Sequence, residues 1–128
     1  MLVVDDHEIV RMGVRILFSD TNLWEICGEA TDGPEAIAKV TELSPDVVIL
    51  DLTMPAMGGF DTAKRIRQAA PATRIVFFSV HETPTTARLV GADAFVSKAS
   101  AARDLARTIH RVLEGRQFSP LTATQPGD

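Results

Sequence analysis

The chain has a single cysteine in 128 residues, so no internal disulfide is possible, and Cys27 has no neighbours at a metal-binding spacing. No apolar run approaches the roughly 20 residues of a membrane span. The start lacks a charged leader followed by an apolar block. Positive charge is also short: 13 Lys and Arg against 17 Asp and Glu give a formal net charge of −4, with no basic stripe to neutralise nucleic-acid phosphates. The three histidines, His7, His81 and His110, are scattered and form no H-x-x-x-H pair. These absences leave one soluble, cytoplasmic domain as the expectation. The 45% hydrophobic content is ordinary for a globular fold.

What is present is an alternation of short apolar runs with helical patterns, the signature of βα units and a parallel sheet. The runs predict strands at 2–5, 24–30, 46–51, 74–79 and 94–97, and the 24–30 segment alternates as an edge strand does. Helices are predicted at 7–19, 33–43, 59–69, 84–90 and 101–114. The first carries an apolar stripe of Ile9, Val10, Met12, Val14, Ile16 and Leu17. Asp32 is placed to cap the second helix, with Pro34 in its first turn and Glu35 at capping-box spacing. The helix at 84–90 is weak, because Thr85 and Thr86 are β-branched and its apolar stripe is thin. Cys27 reads as a small buried hydrophobe. Gly58 reads as permitting an unusual turn and Gly59 as starting a helix. Five such units fit a doubly wound α/β sheet, whose ligands sit at the C-terminal strand edge. After Gly115, residues 116–128 read as the start of a linker or a frayed tail.

The polar residues that end these strands carry the chemistry. Asp5 and Asp6 close the first run and Asp51 closes the third. Ser79 and Lys98 close the fourth and fifth. Any one strand-end Asp can be a turn cap, but five matched positions along one edge are a site. Three carboxylates in one crevice repel each other, and a hard divalent cation, Mg2+, relieves that. A metal, a carboxylate, a hydroxyl and an ammonium together suit a phosphoryl group. Asp51 is the candidate nucleophile, giving an aspartyl phosphate. Asp6 is the expected direct metal ligand, and Asp5 the weaker or water-mediated one. Ser79 and Lys98 would contact the phosphoryl oxygens. Strand alternation puts Lys98 on the site side and Phe95 toward the surface near the short helix. There Phe95 is either a core aromatic packing under that helix or a rotamer switch that swings inward when Ser79 moves. His7 and His81 each read either as a rim residue of the site or as a solvent-facing one, and His110 as lying on a helix surface or an interface. Gly58-Gly59 lacks the spacing and lysine of a nucleotide P-loop.

Taken together, Val4-Asp5-Asp6-His7, Asp51-Leu52-Thr53-Met54-Pro55-Ala56-Met57-Gly58-Gly59, Phe78-Ser79-Val80-His81 and Gly91-Ala92-Asp93-Ala94-Phe95-Val96-Ser97-Lys98-Ala99 resemble the receiver domain of bacterial two-component response regulators. The resemblance spans residues 1 to about 115. It implies a flavodoxin-like, CheY-like three-layer sandwich with five parallel strands in the order 2-1-3-4-5. It also implies Mg2+ held by Asp6, Asp51, Asp5 and the Thr53 backbone carbonyl, with phosphotransfer from a cognate histidine kinase or phosphotransfer protein. Such a domain catalyses its own phosphorylation and dephosphorylation rather than turning over an external substrate. Thr53 and His81 match the positions that tune phosphoryl lifetime. Asp-Asp-His at the start, Arg11, Gly13, Lys98-Ala99-Ser100 and the closing Gly115-Arg116-Gln117-Phe118-Ser119-Pro120 resemble the NarL/LuxR-type subfamily. In that subfamily a DNA-binding domain follows the receiver and transcription is the output. DNA contact would then run only through that further domain, and a homodimer is a possible partner.

Other readings make different demands. A stand-alone receiver would have no basic helical domain following it. A phosphate-independent receiver would act only as a protein-interaction module. A metal-dependent phosphatase needs a cap over its substrate, and a flavin carrier needs aromatic stacking loops and a phosphate loop; neither is evident in this sequence.

Overall fold

A computed structural model describes residues 1–19, 24–80, 91–100 and 102–115. Within them five strands alternate with four helices: β1 (Leu2–Val4), α1 (Glu8–Phe18), β2 (Gly28–Ala30), α2 (Gly33–Leu43), β3 (Val47–Leu50), α3 (Gly59–Ala69), β4 (Arg74–Ser79), β5 (Ala94–Ser97) and α4 (Ala102–Leu113). The sequence-predicted helix at 84–90 and the tail at 116–128 lie outside the described residues. All strands pair in parallel, in the order β2-β1-β3-β4-β5. This is the flavodoxin-like order anticipated from the sequence.

The sheet is buried on both faces, and this is why its strands read as continuous apolar runs. Successive side chains point to opposite faces. Val48, Leu50, Ile75 and Phe77 therefore join one core with Ala36 and Val40 of α2 and Ala63 and Ile66 of α3. Val47, Ile49, Val76 and Val96 join a second core with Val14 and Phe18 of α1 and Leu105, Ile109 and Val112 of α4.

Local signals set several boundaries. The Asp32 carboxylate accepts from the Glu35 amide at 2.8 Å, and α2 starts there as expected. Glu35 reaches back one residue beyond the usual capping box, to the Thr31 amide at 2.7 Å. At the end of the sheet away from the strand C-termini, Arg67 of α3 ties down the chain around β4 and β5. It donates to the Thr73 and Gly91 carbonyls and to Asp93, whose carboxylate also accepts from the Ile75 amide.

Three expectations need correcting. The edge strand is only Gly28–Ala30; residues 24–27 run beside β1 and are held to Met1 by the Cys27 amide on the Met1 carbonyl, at 2.8 Å, and by the Met1 amino group on the Glu25 carbonyl, at 2.6 Å. Cys27 is consequently exposed, not buried. In α1, Ile9, Met12 and Ile16 face solvent while Val14 and Phe18 are buried. The six apolar residues of that stripe and Phe18, seven in eleven positions, cannot all fit the arc that one sheet face covers. At the head of α3, Gly59 starts the helix as expected, but Gly58 does not make the unusual turn. Gly58 is the N-cap with ordinary extended dihedrals (φ −66°, ψ 162°), and the left-handed residue of this loop is Ala56, at φ 71°. Gly59 is the sterically required residue, because a Cβ there would lie 2.6 Å from the Leu52 Cα and press on the Asp51 carbonyl.

Gly59→Ala is therefore expected to cost at least about 2 kcal/mol in urea denaturation, since the colliding atoms are backbone and cannot rotate away. Gly58→Ala, whose Cβ would make only an ordinary contact 3.9 Å from the Leu52 carbonyl oxygen, should cost no more than about 1 kcal/mol, the usual loss at an N-cap. Equal losses for the two variants would contradict this packing.

Candidate functional site

The strand registers assemble the site. Val4 of β1 lies beside Leu50 of β3, so the next residues, Asp5 and Asp51, emerge side by side at the C-terminal edge. The Asp51 amide donates to the Val4 carbonyl at 3.0 Å, and the Asp5 amide to Ala30 at 3.0 Å, fixing both backbones. Ser79 ends β4 opposite Ser97 of β5, and the Lys98 amide donates to the Ser79 carbonyl at 2.9 Å. Chain direction across the sheet reverses between β1 and β3, where such folds open a crevice.

The side chains converge there. Asp5, Asp51 and Ser79 are all buried. Lys98 Nζ lies 2.6 Å from Asp5 Oδ2 and 3.5 Å from Asp51 Oδ2, so one ammonium serves two carboxylates. The Phe78 ring flanks that ammonium, with its centroid 6.0 Å away. Burial pushes the Asp51 carboxyl above the usual aspartate range, and the Asp5 charge pushes the same way. The Lys98 charge, a hydrogen bond from the Ser79 hydroxyl and one from the Thr53 amide pull it back. Asp6 sits at the rim, partly exposed. His7 closes the group: its amide donates to Asp5 Oδ1 at 2.9 Å, and its Nδ1 lies 3.0 Å from Asp5 Oδ1 and 3.2 Å from Asp6 Oδ1. One donor atom each from Asp5, Asp6, His7 and Asp51 falls within a 4.8 Å span. That set of three carboxylates and an imidazole is able to take up a metal ion.

Five of the sequence-predicted residues thus meet at one edge: Asp5, Asp6, Asp51, Ser79 and Lys98. Thr53 joins through its amide. His81 lies outside the described residues. Phe95 is buried, not surface-facing: it joins the core with Ile75, Phe77 and Ala92. Alternation along β5 does separate Phe95 from Lys98, but the face it assigns to Phe95 is the packed α2–α3 side of the sheet.

The family model for the response regulator receiver domain matches residues 1–110. The chain belongs to the response regulator receiver family. It is 33% identical to the response regulator GacA of Pseudomonas viridiflava over 98% of this chain, and 36% identical to the nitrate/nitrite response regulator NarL of Escherichia coli K12 over 90%. It spans 60% and 55% of the lengths of those two proteins. A two-component response regulator of the LuxR family from Aurantimonas sp. SI85-9A1 superimposes with a TM-score of 0.88 at 37% identity, covering 97% of this chain and 91% of that one. The receiver domain therefore has a general signalling role, and its relatives fall in the NarL/LuxR group.

One structural residue of this receiver escaped the sequence reading, which noted Arg11 only as a mark of the subfamily. The Arg11 guanidinium donates to the Asp5 carbonyl at 2.7 Å and to Glu29 of β2 at 2.8 Å, and is itself largely buried. Arg15 holds the same Glu29 from farther out, and Lys39 donates to the Glu29 carbonyl. Arg11 therefore ties the loop bearing the acidic pair to the edge strand. The available signal was charge complementarity between the polar side of α1 and the acid in β2.

Arg11→Ala is expected to lose roughly 1.5–3 kcal/mol of stability, the range for hydrogen bonds to charged groups, and to speed amide exchange at Asp6 and His7. Arg15→Ala, at a more exposed position, should lose under about 1 kcal/mol and leave that exchange unchanged. Loop exchange that ignores Arg11 would refute the tie.

Proposed function

We propose that the domain accepts a phosphoryl group on Asp51 and thereby switches a transcriptional response regulator. The observation that carries this reading is the buried Asp51 carboxylate in reach of the Ser79 hydroxyl and the Lys98 ammonium, in a member of the receiver family. An Asp51 oxygen attacks phosphorus as the bond from phosphorus to the donor's leaving atom breaks. The donor is a phosphohistidine of a histidine kinase or phosphotransfer protein, or a small acyl phosphate. The leaving group departs with the bonding pair, and an acyl phosphate remains on Asp51. Lys98 shifts from carboxylate partner to phosphoryl partner, and Ser79 donates to another phosphoryl oxygen.

The donor set fits Mg2+, because carboxylate oxygens are the ligands that ion takes. Asp6, Asp51 and Asp5, with the Thr53 carbonyl, would hold it. When bound it offsets the charge that builds on the phosphoryl oxygens. Thr53 and His81 would set how fast water removes the phosphoryl group. Phe95, paired beside Phe77 of the strand that ends in Ser79, would act as a switch by changing its rotamer.

Since the chain spans little more than half of the curated relatives it matches, the wider role is also part of this proposal. Residues 1–115 form the receiver and 116–128 lead toward a LuxR-type DNA-binding domain. Phosphorylation would alter a homodimer or interdomain contact, and DNA would be reached only through that further domain. Among the described residues no helix is long and apolar enough to cross a membrane, and a cytoplasmic location of the domain belongs to this proposal.

Incubation with Mg2+ and acetyl phosphate, followed by intact mass measurement, is expected to add about 80 Da to the parent chain and nothing to Asp51→Ala, with the adduct lost in base as an acyl phosphate is. Absence of the adduct, together with failure to bind beryllofluoride in the presence of Mg2+, would overturn the proposal in favour of a phosphate-independent interaction module.

A further inference from the structure

Resting on the reading that the acidic edge holds a divalent cation, we infer that His7 is a direct nitrogen ligand there, and that it biases the site toward first-row transition dications, Mn2+ through Zn2+, relative to Mg2+. Three features of His7 carry this. Its Nδ1 stands 3.0 Å from Asp5 Oδ1 and 3.2 Å from Asp6 Oδ1, facing both at once. Neighbouring donors around an octahedral ion with bonds of about 2.1 Å stand roughly 3.0 Å apart, so Nδ1 already stands at ligand spacing from each of the two carboxylate oxygens. The ring is also not engaged in capping. His7 is the N-cap of α1, yet its side chain makes no capping hydrogen bond; its extended backbone (φ −96°, ψ 114°) and its amide bond to Asp5 Oδ1 aim the imidazole back at the carboxylates. Finally, the His7 side chain is 64% exposed, so its outer edge stays in water while Nδ1 faces inward.

Without an ion, Nδ1 and Asp5 Oδ1 lie at hydrogen-bond distance; with the ring proton on Nε2, Nδ1 has a lone pair to give to an ion in place of that hydrogen bond. Imidazole suits Mn2+ through Zn2+, with affinity rising along the first-row series, whereas Mg2+ keeps to oxygen. A carboxylate-only site would show the same order more weakly, because oxygen donors also follow the first-row series.

Pulsed EPR of the full chain with Mn2+ is the test. The parent is expected to show 14N modulation from a directly bound imidazole, and His7→Asn is expected to lose it. By calorimetry, the Ni2+-to-Mg2+ affinity ratio should fall roughly tenfold or more in His7→Asn. Asn is itself a favoured N-cap, so the variant keeps α1, which a thermal melt verifies. Mn2+ bound without 14N coupling, or an affinity ratio unmoved by His7→Asn, overturns the inference while leaving intact the acyl phosphate reading tested with Mg2+. No dication binding in the parent, with no adduct on Asp51, overturns both.

Discussion

Asp5 and Asp51 end neighbouring strands, both nearly sealed from solvent, and the Lys98 ammonium lies against both, 2.6 Å from one and 3.5 Å from the other. A buried charge is costly unless it is paired and hydrogen-bonded, and here two carboxylates draw on one cation at the end of a third strand. The arrangement depends on β1, β3, β4 and β5 ending in register, because a change in where any one strand stops moves its charge out of reach. The two apolar cores above and below the sheet hold that register. The polar edge in turn gives the strands a defined end. The imbalance is expressed at Asp51, whose carboxyl is raised by burial and by Asp5 despite help from Lys98, Ser79 and the Thr53 amide.

Around this cluster the structure spends polar contacts on backbone. Arg11 holds the Asp5 carbonyl and leans on Glu29, and Arg67 gathers carbonyls at the far end of β4 and β5. Gly59 lets α3 begin hard against the Asp51 backbone, with its amide donating to the Leu52 carbonyl at 2.8 Å. A site meant to gain and lose a bulky anion needs side chains that can exchange partners on a frame that does not move. In the proposed phosphoryl switch Lys98 and Ser79 would be the exchangeable parts, while Arg11, Gly59 and the strand registers belong to the frame.

The fold and the strand-edge residues were legible because both are written locally. A strand buried on two faces reads as an apolar run, and an Asp, Ser or Lys ending such a run is conspicuous. Bounds of β4, β5, α2 and α3 came out as expected for the same reason, each flanked by a cap, a proline or a polar strand end. What misled was nonlocal. Whether Cys27 is covered depends on how far the edge strand pairs, and it stops at Gly28. Which apolar residues of α1 face the sheet depends on the helix's rotation about its axis, and this leaves Ile9, Met12 and Ile16 outside. Alternation separates Phe95 from Lys98 correctly but does not say that the Phe95 face is packed. The demand for Gly59 comes from two backbone segments meeting, and the task of Arg11 from a carboxylate eighteen residues away; neither leaves a mark in a local pattern.

If the shared ammonium is the constraint around which the edge is built, the ionisation of Asp51 must register it. A 13C NMR titration of the Asp51 side-chain carboxyl, in the parent and in Lys98→Met, measures this directly. The account requires an Asp51 midpoint above the ordinary aspartate value of 3.8, and a higher one still once the lysine is gone. A parent midpoint at or below the ordinary value, or one indifferent to Lys98, would contradict it.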